Sequence, residues 1–205
     1  QHARNLGYRY MGISDHSRSA YYANGLAEDD IYRQFEEIEV VNRKYDDFKI
    51  LKGIEADILK DGSMDYDDAI LSLFDFVIAS VHSNFTMDRE EMTERILKAL
   101  ENPYVKILGH PTGRLLLSRE GYDVDMERIL EKAAEKGVAI EINSNPYRLD
   151  LDWRWCRVAK DMGVDIVICP DAHDLEGFDY VSLGIGIARK GWLEAENIWN
   201  CRDMW

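Results

Sequence analysis

Short apolar runs alternate with longer stretches of helical period along almost the whole chain. The runs at 8–14 (YRYMGIS), 49–56 (KILKGIEA), 74–81 (FDFVIASV), 105–109 (VKILG), 138–142 (VAIEI) and 165–169 (DIVIC) are rich in Val, Ile, Leu and aromatic residues and short enough for strands. Between them the apolar positions repeat every three or four residues, as in Ile31, Phe35, Ile38 and Val41 within 28–45. The same spacing recurs for Met92, Ile96, Leu97 and Leu100 within 88–101, and for Ile129, Leu130, Ala133 and Ala134 within 125–136. It places each set on one helix face. Gly137 and Gly163 each follow a helical run and precede a strand, where a left-handed residue ends a helix at least cost.

The alternation predicts parallel strands joined by crossover helices, and a single α/β domain over 1–205 built as a barrel rather than an open sheet. Residues 1–6 read as the last turn of a helix whose preceding strand is absent, so the expectation is a barrel without its first strand in this sequence. From Leu183 onward, LGIGIARKGWLEAENIWN predicts a glycine-punctuated strand or turn and then a helix carrying Trp192, Leu193 and Ile198.

Composition narrows the function. An apolar fraction of 46% in 205 residues is enough to bury a core and excludes general disorder. The 25 basic and 39 acidic residues give a net charge of −14, so no broad positive field attracts nucleic acid, and a phosphate-bearing substrate must be held by local cations or metal. No apolar run approaches the roughly 18 to 20 residues of a membrane span, and the first residues do not form a signal peptide. The expectation is a soluble, cytoplasmic protein. Cys156, Cys169 and Cys201 are widely spaced and form no CxxC pair, which fits a reducing compartment and leaves metal binding to histidine and carboxylate.

In a parallel βα barrel the active site forms at the C-terminal ends of the strands. Polar residues collect there: Asp15 and His16 after the first run, Glu55 near the end of the second, His82 after the third and His110 after the fourth. Asn143 and Asn145 follow the fifth run, and Asp171 and His173 the sixth. Four of the five histidines share this rim. Any one of them alone reads best as a hydrogen-bonded structural residue, and Glu55 or Asp171 alone as a helix cap or ion-pair partner. Together they have no packing rationale, whereas a multinuclear metal site requires imidazoles and bridging carboxylates converging from several directions. Asp15 either orients His16 from behind or faces solvent.

The segments ISDHS, GIEADI, ASVHS, GHPTGR, EINSNPYR and PDAH resemble the PHP family, named from polymerase and histidinol phosphatase. The resemblance runs over essentially the whole chain. It is closest to the C-terminal PHP domain of bacterial and archaeal family X DNA polymerases, through DREEMTERILKALENP, GHPTGRLLLSREGYDVD, EINSNPYRLDLD and IARKGWLEAENIWN. It implies a distorted seven-stranded (βα)7-type barrel with two or three divalent metal ions, zinc, manganese or iron. It also implies that His16, Glu55, His82, His110, Asp171 and His173 are ligands, with Glu55 the bridge between two ions and Glu55 and Asp171 the catalytic carboxylates. The family's opening HxH motif has no counterpart here, which agrees with the expected absence of the first strand.

Such ions generate hydroxide near neutral pH and clamp a phosphoryl group, so the reaction class is phosphoester hydrolysis. Arg114, Arg119 and Arg148 lie in loops after strand ends, and Arg114 and Arg148 are candidates to grip phosphate. Asn143 and Asn145 either bind substrate or satisfy their loop. Tyr21, Tyr22 and Tyr147 near the same rim either stack on a nucleobase or pack. Three functions follow as expectations. One is a 3′-5′ exonuclease or 3′-end-processing activity on DNA, with a polymerase domain in the same or another chain. Another is a phosphatase of small monoesters such as histidinol phosphate. The third is a non-catalytic PHP module that stabilises or docks a polymerase.

Overall fold

The computed structural model describes residues 1–20 and 23–202. Tyr21 and Tyr22, named above as candidate stacking residues, lie outside the described residues. Six parallel strands form one sheet in sequential order, β1 (Tyr10–His16), β2 (Lys49–Asp57), β3 (Phe76–Ser80), β4 (Val105–Leu108), β5 (Ala139–Asn143) and β6 (Ile166–Cys169). Sequential order in an all-parallel sheet is the order of a βα barrel, and this sheet curls as a partial barrel. Among the described residues β1 and β6 do not pair with each other.

The helices are α1 (His2–Asn5), α2 (Glu28–Asn42), α3 (Asp68–Leu71), α4 (Arg89–Leu100), α5 (Met126–Lys136), α6 (Trp153–Asp161) and α7 (Val181–Lys190). Their starts are chemically marked. The side chains of Asp67, Asp88, Asp125 and Asp152 each accept a hydrogen bond from a backbone N–H of the first turn. Gly137 ends α5 at φ +67°, and Gly163 follows α6 at φ +75°.

Strand alternation sorts the side chains into two layers. Val77, Ala79, Leu108, Ile140, Ile142, Ile166 and Ile168 face outward into the main core, which also holds Met92, Ile96, Ile129, Leu130 and Ala133 of α4 and α5. Each fully buried side chain of this kind contributes about 1.5–3 kcal/mol of transfer energy. On the opposite, concave face a smaller cluster of Ile78, Ile107, Ala139 and Val167 forms a floor, with Phe76 and Trp199 against it. Phe76 lies across β1 and β2, and a Cβ at Gly53 or Gly12 would sit 2.1 or 2.5 Å from its ring.

Two boundaries differ from the sequence expectation. β1 and β2 continue past the last apolar residue to His16 and Asp57, because the ladder pairs Asp15 with Ile54 and His16 with Glu55. At the C-terminus, the expected glycine-punctuated strand or turn is instead α7, and the expected helix carrying Trp192, Leu193 and Ile198 is replaced by short 3-10 turns at Ala195–Asn197 and Trp199–Cys201. Gly184 is there for proximity: a Cβ would approach Ile168 and Ser144 to 2.5 and 2.7 Å, so the glycine lets α7 close onto β6. The Asn200 side chain then donates to Ile168 O at 2.8 Å and accepts from Ile168 N at 3.2 Å, covering the outer edge of β6.

Candidate metal centre

The ladder brings imidazoles from three strand ends onto one carboxylate. Glu55 on β2 faces the concave side, and its Oε1 lies 3.0 Å from His110 Nε2 and 3.3 Å from His82 Nε2. Those two nitrogens are 3.3 Å apart. The other oxygen, Oε2, lies 3.3 Å from His16 Nδ1. Two ligands about 2.1 Å from one tetrahedral ion stand roughly 3.4 Å apart, so the Glu55, His82 and His110 triangle has the edge lengths of a coordination face. The donor atoms of His16, Glu55 and His82 also fall within 4.8 Å of one another. Glu55 therefore turns one oxygen to each of two donor groups.

His82 is fixed from behind. Its Nδ1 meets Asp57 Oδ1 at 2.6 Å, an imidazole and carboxylate pairing of the kind that orients metal-binding histidines. With Nδ1 against Asp57, Nε2 is the ring atom turned toward Glu55 and His110. Two imidazole nitrogens and a carboxylate oxygen within 3.3 Å of one another form a donor set that fits a divalent ion. Burial disfavours the charged His82 ring, but hydrogen bonds from the ring to Asp57 and Glu55 outweigh it and raise its pKa to about 9. Burial likewise opposes ionisation of Glu55, yet the contacts with His110 and His82 hold its carboxyl well below the usual range. Asp57 was not among the sequence-predicted residues. It stands two residues beyond Glu55 in GIEAD, on the same face of the strand, and that alternation was the available signal.

His110 occupies a left-handed backbone conformation, φ +22°, directly after β4, and its N–H donates to Glu141 Oε2 at 2.5 Å. Burial and the negative charge of Asp171 push the Glu141 carboxyl well above its ordinary pKa. Asp171, at φ +51°, accepts from Asn143 Nδ2 at 3.1 Å and faces Arg148 Nε at 3.8 Å. His173 stands at the open side, largely exposed, its ring 6.5 Å from that of His16, with Nδ1 2.9 Å from Asp171 O. The cluster is thus buried at His110 and open at His173.

The remaining sequence-predicted residues take other places. Asp15 points to the opposite face of β1, where Gln34 of α2 donates to it, so it anchors a helix instead of the His16 ring. Arg114 spends its guanidinium on the carbonyls of Arg148 and Leu149 and on Asp152, at 3.1 Å from the last, and thereby fastens the loop that carries Arg148. Arg119 donates to Gly113 O at 2.7 Å and lies 4.2 Å over the Phe85 ring. Asn143 and Asn145 hold their own loop, through Asn145 N to Asn143 Oδ1 and Tyr147 N to Asn145 Oδ1. Arg148 is the cation that faces a groove of about 470 Å³ running from Asp171 and His173 to Leu115, Leu116 and Tyr147.

The parallel α/β sheet gathers histidines and carboxylates at its strand ends, and the PHP domain family model matches residues 1–145. The chain belongs to the PHP family of phosphoesterases. It is 44% identical over 198 residues to the DNA polymerase/3′-5′ exonuclease PolX of Bacillus subtilis (strain 168), covering 97% of this chain and 35% of that protein. It is 36% identical to a probable phosphatase of Caldanaerobacter subterraneus subsp. tengcongensis, covering 71% of this chain and 60% of the relative. The chain thus spans about a third and under two thirds of these two relatives. Among solved structures, histidinol phosphate phosphatase from Lactococcus lactis, complexed with zinc, L-histidinol and phosphate, superposes with a TM-score of 0.60 at 16% identity. That match covers 94% of this chain and 86% of the other and shows a shared fold. No described helix is long and apolar enough to cross a membrane.

Proposed function

We propose that this chain is a metal-dependent phosphoesterase that removes nucleotides from DNA 3′ ends and works beside a polymerase domain. The observation that carries the hydrolytic reading is Glu55, which presents one oxygen to His82 and His110 and the other to His16. The 44% identity to a DNA polymerase/3′-5′ exonuclease supports DNA as the substrate. His16, Glu55, His82, His110, Asp171 and His173 would hold two or three divalent cations, drawn from zinc, manganese or iron. Bound there, such cations lower the pKa of water and polarise the phosphoryl oxygens.

The chain's own residues do the rest. Asp57 fixes the His82 ring, Arg148 takes a non-bridging phosphate oxygen, and Arg114 keeps Arg148 in place. Hydrolysis adds water across the terminal phosphodiester: an oxygen bonds to phosphorus, the P–O3′ bond breaks, and the departing 3′-oxygen takes a proton. The products are a nucleoside 5′-monophosphate and a strand one residue shorter.

A second reading, phosphate release from a small monoester, is favoured by the net charge of −14, which repels a long polyanion, and by the similarity to a probable phosphatase. The experiment that separates them is single-turnover digestion of a labelled oligonucleotide with Mn²⁺, set against phosphate release from small monoesters, using the full-length protein. Shortening of the oligonucleotide is expected. Glu55→Ala or His110→Ala should lose bound metal and reduce hydrolysis by at least about 100-fold, the order of loss when one group that stabilises the transition state is removed. Retention of full activity by either variant would remove the site from the reaction.

A further inference from the structure

Beside the cluster, the segment 115–119 folds back on itself as a tight hairpin. Leu115 N donates to Arg119 O at 2.9 Å, and Arg119 N to Leu115 O at 2.7 Å. Arg119 fastens it below, through Gly113 O and the Phe85 ring. Leu116 N donates to Tyr147 O at 2.6 Å, so the hairpin and the Tyr147 loop form one wall. This well-held wall exposes what a soluble surface ordinarily covers. Leu117 is fully exposed at φ +63°, Leu116 is exposed, and Tyr147 is 69% exposed.

The wall borders the open groove of about 470 Å³, which Arg148, Asp171 and His173 also line. That volume lies within the range of about 300–1,000 Å³ typical of small-ligand sites. One end offers flat and aliphatic surface, the other a guanidinium and the donor cluster, so the groove is built for a ligand with an apolar ring at one end and a phosphate at the other. The net charge of −14 supplies no broad positive field to hold a longer phosphate backbone, which places the weight of recognition on the terminal unit.

We propose that this groove is the subsite for the base of the 3′-terminal nucleotide. Tyr147 stacks on the base, Leu115 and Leu116 cover its outer edge, and Arg148 takes the scissile phosphate. The inference rests on the 3′-end reading given above and adds where the terminal base is read. Stacking tolerates every base because each has a π-face, so the subsite selects for the presence of a base and not for its identity.

The test crosses two changes: oligonucleotides ending in a normal or an abasic 3′ residue, with wild type, Tyr147→Ala and Tyr147→Trp proteins. Wild type should show a KM about 10-fold lower for the base-bearing end, in line with the stacking contribution of one base. Tyr147→Ala should reduce that ratio to about one, and Tyr147→Trp should keep or enlarge it. Because Tyr147 is a surface residue, unchanged thermal unfolding and metal content of both variants will show that the fold is intact. If wild type digests oligonucleotides but the ratio is the same in wild type and Tyr147→Ala, the subsite proposal is overturned and the exonuclease reading stands. If no oligonucleotide is digested while small monoesters are hydrolysed, both fail together.

Discussion

Asp57 is the side chain whose importance a sequence reader most easily passes over, because it ends an apolar run as an ordinary acidic residue. Its contact with His82 Nδ1 fixes both the tautomer and the direction of the ring. Asp57→Asn keeps the shape but weakens this hold, and metal affinity is expected to fall about 10- to 100-fold, measured by competition with a fluorescent chelator. The convergence of His16, Glu55, His82 and His110 was legible from strand-end position, since each follows or closes an apolar run. The orientations of Asp15 and Arg114 were not, because an adjacent number along the chain does not say which face or which carbonyl a side chain meets. A second residue-scale prediction concerns Tyr66, whose hydroxyl donates to Leu26 O. Burial, and then the charge of Asp65, push its phenol up to about 12. Between the ordinary value near 10 and 12 the folded chain keeps a proton that the unfolded chain releases, so rising pH favours unfolding there and has no such effect below. The stability gap between wild type and Tyr66→Phe should narrow from pH 10 to 11.5 in urea titrations, and stay constant from pH 7 to 9.

Among the elements, β2 carries the greatest burden, since it supplies Glu55 and Asp57 at its end and Gly53 beneath them. Phe76 fills the space that side chains at Gly53 and Gly12 would take, and so lays the floor on which the cluster stands. Gly53→Val forces the ring aside and should cost about 1–3 kcal/mol, read as a lower midpoint of thermal or urea unfolding. The strands, α2, α4 and α5 were legible in the periodicity because each buries one clear face. α7 was not, since LGIGI has the glycine spacing of a turn, while its real cause, the close approach of Gly184 to Ile168 and Ser144, exists only in three dimensions. α3 has only four residues and too short a pattern to read.

Over the whole molecule, charge and site oppose one another: the chain carries −14, and the reaction needs an anion. Screening shortens the reach of that repulsion, so kcat/KM for an oligonucleotide should hold or rise between about 20 and about 200 mM salt, unlike the steep fall seen with basic nucleic-acid-binding surfaces. A salt titration at fixed metal concentration measures this, and a fall of 10-fold or more would reveal an approach path of local positive potential. The order of the sheet carries one more consequence. The proposed ligands His16, Glu55, His82, His110, Asp171 and His173 come from the ends of five strands, so ions seated among them would link segments that otherwise share only the ladder and the core. Loading the site should therefore act as a staple across the open mouth, slowing amide exchange at the C-terminal tips of the strands well before it alters the helices behind them.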